Sequence, residues 1–432
     1  MSSLSVLVGR HRAWWLYVIM AAATLIACFQ QAGLATVSAS IAASLKVEPA
    51  SLGLLTAAFF YAYAAMQLPA GLLSDGLGPR KSVTMALFLA AVGTVVFALA
   101  ESLGLATAGR ALMGAGLAVI VAPQLKLIAV WFPASAFSRL TAMAFAVTSF
   151  GPLMATSPMA YASAAFGWRA PFLLLAGLTL ACAGLVWLIV RDGPSRPGRP
   201  DQAAGTGRAP AAGRQGAAHP EALRRKLASL VKNRSLWLLG FWQGCQGGGY
   251  FAFLALWGGQ YLTQGLGLEP AEAGWILTPS ACALLAGPLV SLAADKFSCR
   301  RTMIGLSACN ALLMLPVFLG LPEPFTKSDW AGPALAVYFL IFSIAAMGGA
   351  AMIFSAAKEL FDVSLAGTVS GFINMFAFAG AAVLQQGMGL LVEYALNGGA
   401  APFEAQSRAY GFFLGAALFS LFLALRYKAP RI

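Results

Sequence analysis

Arg110 lies about a turn or more inside an apolar run extending from roughly 105 to 127. An ionisable side chain in such a run is expensive, so it marks a functional site by default. A guanidinium there can grip a carboxylate or phosphate through two parallel N–H donors. It can equally brace helix packing. Sixteen residues on, Lys126 is turned by roughly 160° from Arg110 on a straight helix, whereas Gln124 falls within about 40° of its face. Lys126 reads as a lysine snorkelling from a helix end, and Lys358 reads the same way.

Other polar residues fall inside apolar runs, and each amide there needs a partner in a dry bundle. Gln243, Gln246 and Tyr250 recur at i, i+3 and i+7 and so line one helix face. The adjacent Gly247, Gly248 and Gly249 make a weak helical stretch, suited to a bend or to close packing. Asn374 and Gln385 share a face with Phe378 between them. Gln30, Gln31 and Gln67 complete the set. No Asp or Glu falls in mid-run: Glu101, Glu272, Glu359 and Glu393 all lie near ends. A proton-coupled carrier needs a titratable group tuned by burial, and Glu359, beside Lys358, is the candidate.

The composition says what must position these residues. Mean hydropathy is +0.77, and apolar stretches long enough to cross a bilayer recur along nearly the whole chain. An all-α integral membrane protein is predicted. Its twelve spans lie near 14–37, 51–72, 81–100, 105–127, 139–163, 168–190, 235–262, 272–294, 302–321, 331–357, 365–392 and 408–426. The first is too long for a signal h-region. Residues 191–234 are rich in Pro, Gly, Ala and Arg and read as a basic linker. It ends in a short amphipathic helix at 220–231, with Leu223, Leu227 and Leu230 on one stripe. The six cysteines form no CxxC pair and the two histidines have no ligand-spaced partners. No metal, cofactor or disulfide framework is expected. No nucleophile, base and orienter occur together, so the chain does not read as an enzyme.

Charge sets the orientation. With the N-terminus in the cytoplasm, 23 of 28 Lys and Arg fall on the cytoplasmic side; only Lys46, Arg110, Arg169, Lys327 and Arg408 do not. The net charge of +13 is therefore a topology signal rather than a sign of nucleic acid, and anionic headgroups are the partner for the linker.

The chain also repeats itself. Asp75 is followed at five and six residues by Arg80 and Lys81, and Asp295, half a chain later, at the same spacing by Arg300 and Arg301. Two six-helix halves, 1–190 and 235–432, joined by a linker are implied. The first copy, GLLSDGLGPRK, resembles the loop motif of the major facilitator superfamily through Gly71, Asp75, Gly78, Arg80 and Lys81. Gly76 stands where that family places Arg or Lys. RALMGAG resembles the family's fourth-helix motif through Arg110, Gly114 and Gly116.

YAYAAMQLPAGLLSDGLGPRK, WFP at 131–133 and GWR at 167–169 look like members that carry small organic anions. SFGPLMA keeps Gly151 and Pro152, but with Ala155 it departs from the drug-antiporter pattern. The resemblance implies a twelve-helix, pseudo-symmetric transporter in an inner membrane, monomeric, with both termini cytoplasmic, working as a symporter, antiporter or facilitator. Helices 1, 4, 7 and 10 would surround a central cavity, making Gln31, Arg110, Gln124, Gln243, Gln246 and Tyr250 substrate-binding candidates, with Gln30 a close alternative to Gln31 and Asn374 of the eleventh helix a further candidate. The loop residues Gly71, Asp75, Gly78, Arg80 and Lys81, with Asp295, Arg300 and Arg301, would gate it against the eleventh helix. Arg110 and the lack of mid-span acids point to a small polar, anionic organic metabolite as cargo. An exporter of amphipathic compounds and a metabolite sensor without flux are the other readings.

Overall fold

A backbone in hydrocarbon must satisfy its own N–H and C=O groups, and helices do so internally. The computed structural model describes residues 2–148, 150–193, 232–321, 330–358, 360 and 366–427. All the regular structure among them is helical. The amphipathic segment at 220–231 and Glu359 lie outside the described residues.

The described residues form twelve spans. In the first half, α1 is Ser2–Ala32 continued by Leu34–Leu45, α2 is Pro49–Leu77 and α3 is Pro79–Ala98. Helix α4 is Leu103–Leu117 with Val121–Trp131. Helix α5 comprises Ala134–Thr148, Phe150–Met154 and Ser157–Phe166, and α6 is Arg169–Ile189. In the second half, α7 runs through Arg234–Ala252 and three short pieces to Gly265. Helix α8 is Pro270–Ala281, Ala283–Ala286 and Gly287–Phe297, and α9 is Cys299–Phe318. Helix α10 is Ala331–Met347 with Ala350–Lys358, α11 is Ala366–Asn397, and α12 is Pro402–Ala409 with Gly411–Arg426.

Local sequence sets these boundaries. Pro49, Pro79, Pro270 and Pro402 open helices at a position that needs no N–H. Ser102 and Asn233 cap others with side-chain oxygens. Nine helices among the described residues are long and apolar enough to cross a membrane. Helices α5, α7 and α10 are not among these nine.

The start of α1, the end of α6 and the end of α12 share one face, here called the terminal face. Arg12 donates there to the Ile189 carbonyl at 3.3 Å. The halves meet along α2 and α11, which run antiparallel. A Cβ at Gly53 would come within 2.6 Å of the Gln385 carbonyl, and one at Gly389 within 2.6 Å of the Pro49 carbonyl. Only glycine allows backbones that close. The Ala50 N–H, in the first turn of α2, donates to Glu393 across this seam at 3.0 Å. On the same side, away from the terminal face, Gln260 of α7 donates to Ser38 of α1 at 2.7 Å. Thr156 of α5 meets Thr278 of α8 at 3.4 Å.

Candidate functional site

At mid-depth between the halves lies a cavity of about 40 Å³, walled by Cys28 and Gln31 of α1, Pro152 of α5, Tyr250 and Leu254 of α7, and Leu284 of α8. Cys28 and Gln31 are one helical turn apart on the same face of α1, which is why they share this wall. Two polar atoms on the wall, the Gln31 side-chain nitrogen and the Tyr250 hydroxyl, are buried without a partner among the described residues. Beside the cavity an aromatic cluster bridges the halves. Tyr63 of α2 lies 4.1 Å from Phe378 of α11 between ring centroids, and Phe378 stacks on Phe251 of α7 at 5.0 Å.

Gln30, the next residue on α1, is turned away from the cavity into the first half. Its amide donates to Thr179 of α6 at 2.8 Å and accepts from Thr94 of α3 at 2.9 Å. Gln246 does the same work in the second half. It donates to Ser307 of α9 and Ser420 of α12, each at 3.0 Å, and accepts from Asn310. Each half thus has one glutamine on its first helix that ties its third and sixth helices together. Gln246 lies against a second, smaller cavity inside its own half, with Asn310, Phe342 and Phe413.

The structure places Arg110 inside the first half and not on the wall of the central cavity. Its guanidinium lies 4.7 Å from the Phe59 ring centroid and 5.9 Å from that of Phe97. One nitrogen donates to the Gln30 carbonyl at 3.1 Å, while Nε and Nη2 are buried without partners among the described residues. Arg110 and Gln124 both reach α1, and neither lines the central cavity. Helix α4 is interrupted between Leu117 and Val121, and Gln124 accepts from Thr24 of α1 at 2.7 Å.

The other candidates disperse. Gln243 is buried, with neither amide atom paired among the described residues. Asn374 donates across the seam to Gln67 at 3.1 Å. Gln385 donates to the Ala252 carbonyl of α7 at 3.1 Å. Gly247–Gly249 stay in regular helix. Gly248 is there for contact, since its Cβ would lie 2.7 Å from the Ala381 backbone nitrogen. The irregular part of α7 comes later, as π-helical turns at Phe253–Trp257 and Tyr261–Gly265, a distortion that often marks functional positions.

The loop motif lies at the joint between α2 and α3. A Cβ at Gly71 would touch nothing within 4 Å, so Gly71 makes no close helix contact. Gly78 adopts φ +81°. The Arg80 N–H donates to Asp192 at 2.7 Å, and its guanidinium donates to the Trp187 carbonyl at 2.8 Å and stacks on that indole at 4.3 Å. Arg80 is thus held at the end of α6. Lys81 is exposed, and the Asp75 side chain lies outside what is described. In the second copy Arg300 donates to the Leu425 carbonyl of α12 at 2.7 Å, Arg301 donates its N–H to the Ser298 hydroxyl, and Asp295 is exposed. Asp192, Thr24 and Cys28 were not singled out from sequence. Only Cys28, one turn before Gln31, carried a spacing that could have shown it.

Twelve spans in two matched halves, with a cavity at mid-depth on their seam, form the two-half architecture of a membrane-transporter fold. The family model for the Major Facilitator Superfamily matches residues 20–384, and the chain belongs to that family. It is similar to a probable galactarate/D-glucarate transporter, GudP, of Bacillus subtilis, with 26% identity over 65% of this chain and 64% of that one. It is also similar to a probable sulfoacetate transporter, SauU, of Cupriavidus necator, with 24% identity over 56% of each. The chain thus spans somewhat under two thirds of the length of these relatives. Its fold matches a bacterial homolog of the human lysosomal transporter Spinster, with a TM-score of 0.72 over 96% of this chain and 95% of that one, at 14% identity.

Proposed function

We propose that the protein moves a small, polar, anionic organic metabolite across a bacterial inner membrane by alternating access. The observation that carries this reading is the cavity on the seam, with Gln31 from one half and Tyr250 from the other. A site shared by two rocking halves is exposed to one side at a time. The relatives' descriptions as galactarate/D-glucarate and sulfoacetate transporters support an organic anion.

The Ala50–Glu393, Ser38–Gln260 and Thr156–Thr278 contacts all lie away from the terminal face, which supports a state sealed on that side. With the basic linker at 191–234 in the cytoplasm, beside anionic headgroups, that state is inward-facing, and one chain suffices for the cycle. Arg80 and Arg300 hold the two cytoplasmic joints, and Glu359 remains the proton-coupling candidate. Counterflow of D-glucarate and sulfoacetate in proteoliposomes tests the reading. Binding of either acid without flux would instead favour a sensor, and counterflow by neither would remove these acids as cargo.

A further inference from the structure

We infer that the central cavity takes the acidic head group of its cargo on neutral hydrogen-bond donors, the Gln31 amide and the Tyr250 hydroxyl, with no arginine in contact. This inference rests on the transport reading and adds to it the chemical class of the group recognised, a carboxylate or sulfonate oxyanion.

Three observations carry it. The Gln31 side-chain nitrogen and the Tyr250 hydroxyl are buried, line the same cavity and have no partner among the described residues. Each has a proton to give, and buried polar groups left unpaired in a folded protein call for an explanation. They come from different halves, so one oxyanion bridging them joins α1 to α7 across the seam.

The charged candidate is held elsewhere. Arg110 is wedged by Phe59 and tied to the carbonyl of Gln30. Gln30 and Gln31 are neighbours on α1 and point about 100° apart. Gln30 is fully enclosed within the first half while Gln31 reaches the cavity. Arg110 therefore lies behind α1 as seen from the cavity.

Neutral donors also suit a carrier. A desolvated ion pair is hard to part, because removing one partner strands the other charge. Hydrogen bonds from an amide and a phenol hold an oxyanion firmly enough for specificity and still let it leave. Carboxylate and sulfonate both present several acceptor oxygens.

The test uses full-length protein with D-glucarate and sulfoacetate as probes and glucitol as the uncharged control. Affinity is read by thermal shift, and by protection of Cys28 from N-ethylmaleimide, followed on the Cys28 peptide by mass spectrometry. A hydrogen bond to a charged group contributes roughly 10- to 100-fold in affinity. Tyr250→Phe should therefore weaken acid binding about 10-fold or more. Gln31→Glu, which keeps the shape and adds a negative charge, should weaken it about 100-fold. Arg110→Met and Arg110→Lys should both retain binding within about 5-fold, and the second covers the case in which the first fails to fold.

Acid binding that survives Tyr250→Phe and Gln31→Glu but is lost in Arg110→Lys would overturn the inference and leave the transport reading standing. If neither acid shifts the wild type or protects Cys28, while another solute class is carried in counterflow, the oxyanion assignment falls but transport does not.

Discussion

Gly78 and Ser298 occupy matching places in the two halves and adopt nearly the same backbone, φ 81° and ψ 157° in one, φ 80° and ψ 148° in the other. Each turns the chain between the second and third helix of its half. Next to each, an arginine reaches the carbonyl end of that half's sixth helix, Arg80 to Trp187 and Arg300 to Leu425. The caps differ. In the first half Asp192, from beyond α6, accepts from the N–H of Arg80, and its carboxylate sits where a Cβ on residue 78 would go. In the second half Ser298 caps its own helix by accepting from the Arg301 N–H. One joint thus depends on a distant segment and a glycine. The other is local and carries a side chain in a region that strains most residues. The two copies share a geometry, and each half reaches it with different chemistry.

Substitutions can break this comparison. Gly78→Val should have the largest effect, about 3 kcal/mol or more, because it combines an unfavourable φ with displacement of the Asp192 cap. It should be visible as a lowered melting temperature in detergent and loss of a monodisperse elution peak. Gln246→Leu comes next at about 2–3 kcal/mol, since it leaves the buried Asn310 amide without its partner. The matching Gln30→Leu should cost only about 1 kcal/mol. Thr94 and Thr179 keep bonds to the Ala90 and Leu175 carbonyls of their own helices, and Arg110 binds the Gln30 backbone. Chemical denaturation of the two variants side by side checks this order; equal losses would mean that the two glutamine nodes are energetically alike. Asp192→Asn keeps an acceptor but removes the charge at the start of α3, costing about 0.5–1 kcal/mol, an effect that should shrink in high salt. Ser298→Gly is the smallest and has the opposite sign. Relief of strain outweighs a weak cap by about 0.5 kcal/mol, giving a slightly higher melting temperature.

The span count and the two-half plan could be read from sequence because apolar runs and the Asp–Arg spacing are one-dimensional signals. Positions within the spans were legible only where the helix is regular. The interruption of α4 at Ala118–Ile120 lies one turn before Pro123, whose missing N–H leaves the Val119 carbonyl without its helical partner, so this break had a signal in the sequence. Gln30 and Gln31 could not be separated because α1 is enclosed on several sides, by its own half and by the seam alike. The glycine run in α7 was open to two readings, and close packing of Gly248 against α11 now describes it. The Asp192 cap reaches back across four helices to Arg80 and falls in a stretch whose composition reads as linker, so no local pattern could pair the two.

That cap has a practical consequence for dividing the chain. A border drawn from composition at residue 190 separates Asp192 from the helix whose N-terminus it covers. If the two halves were produced as separate polypeptides, a cut at 190 would deprive the first of its own cap. A cut after Gly193 would carry the carboxylate along, so the first half should assemble better from this slightly longer fragment.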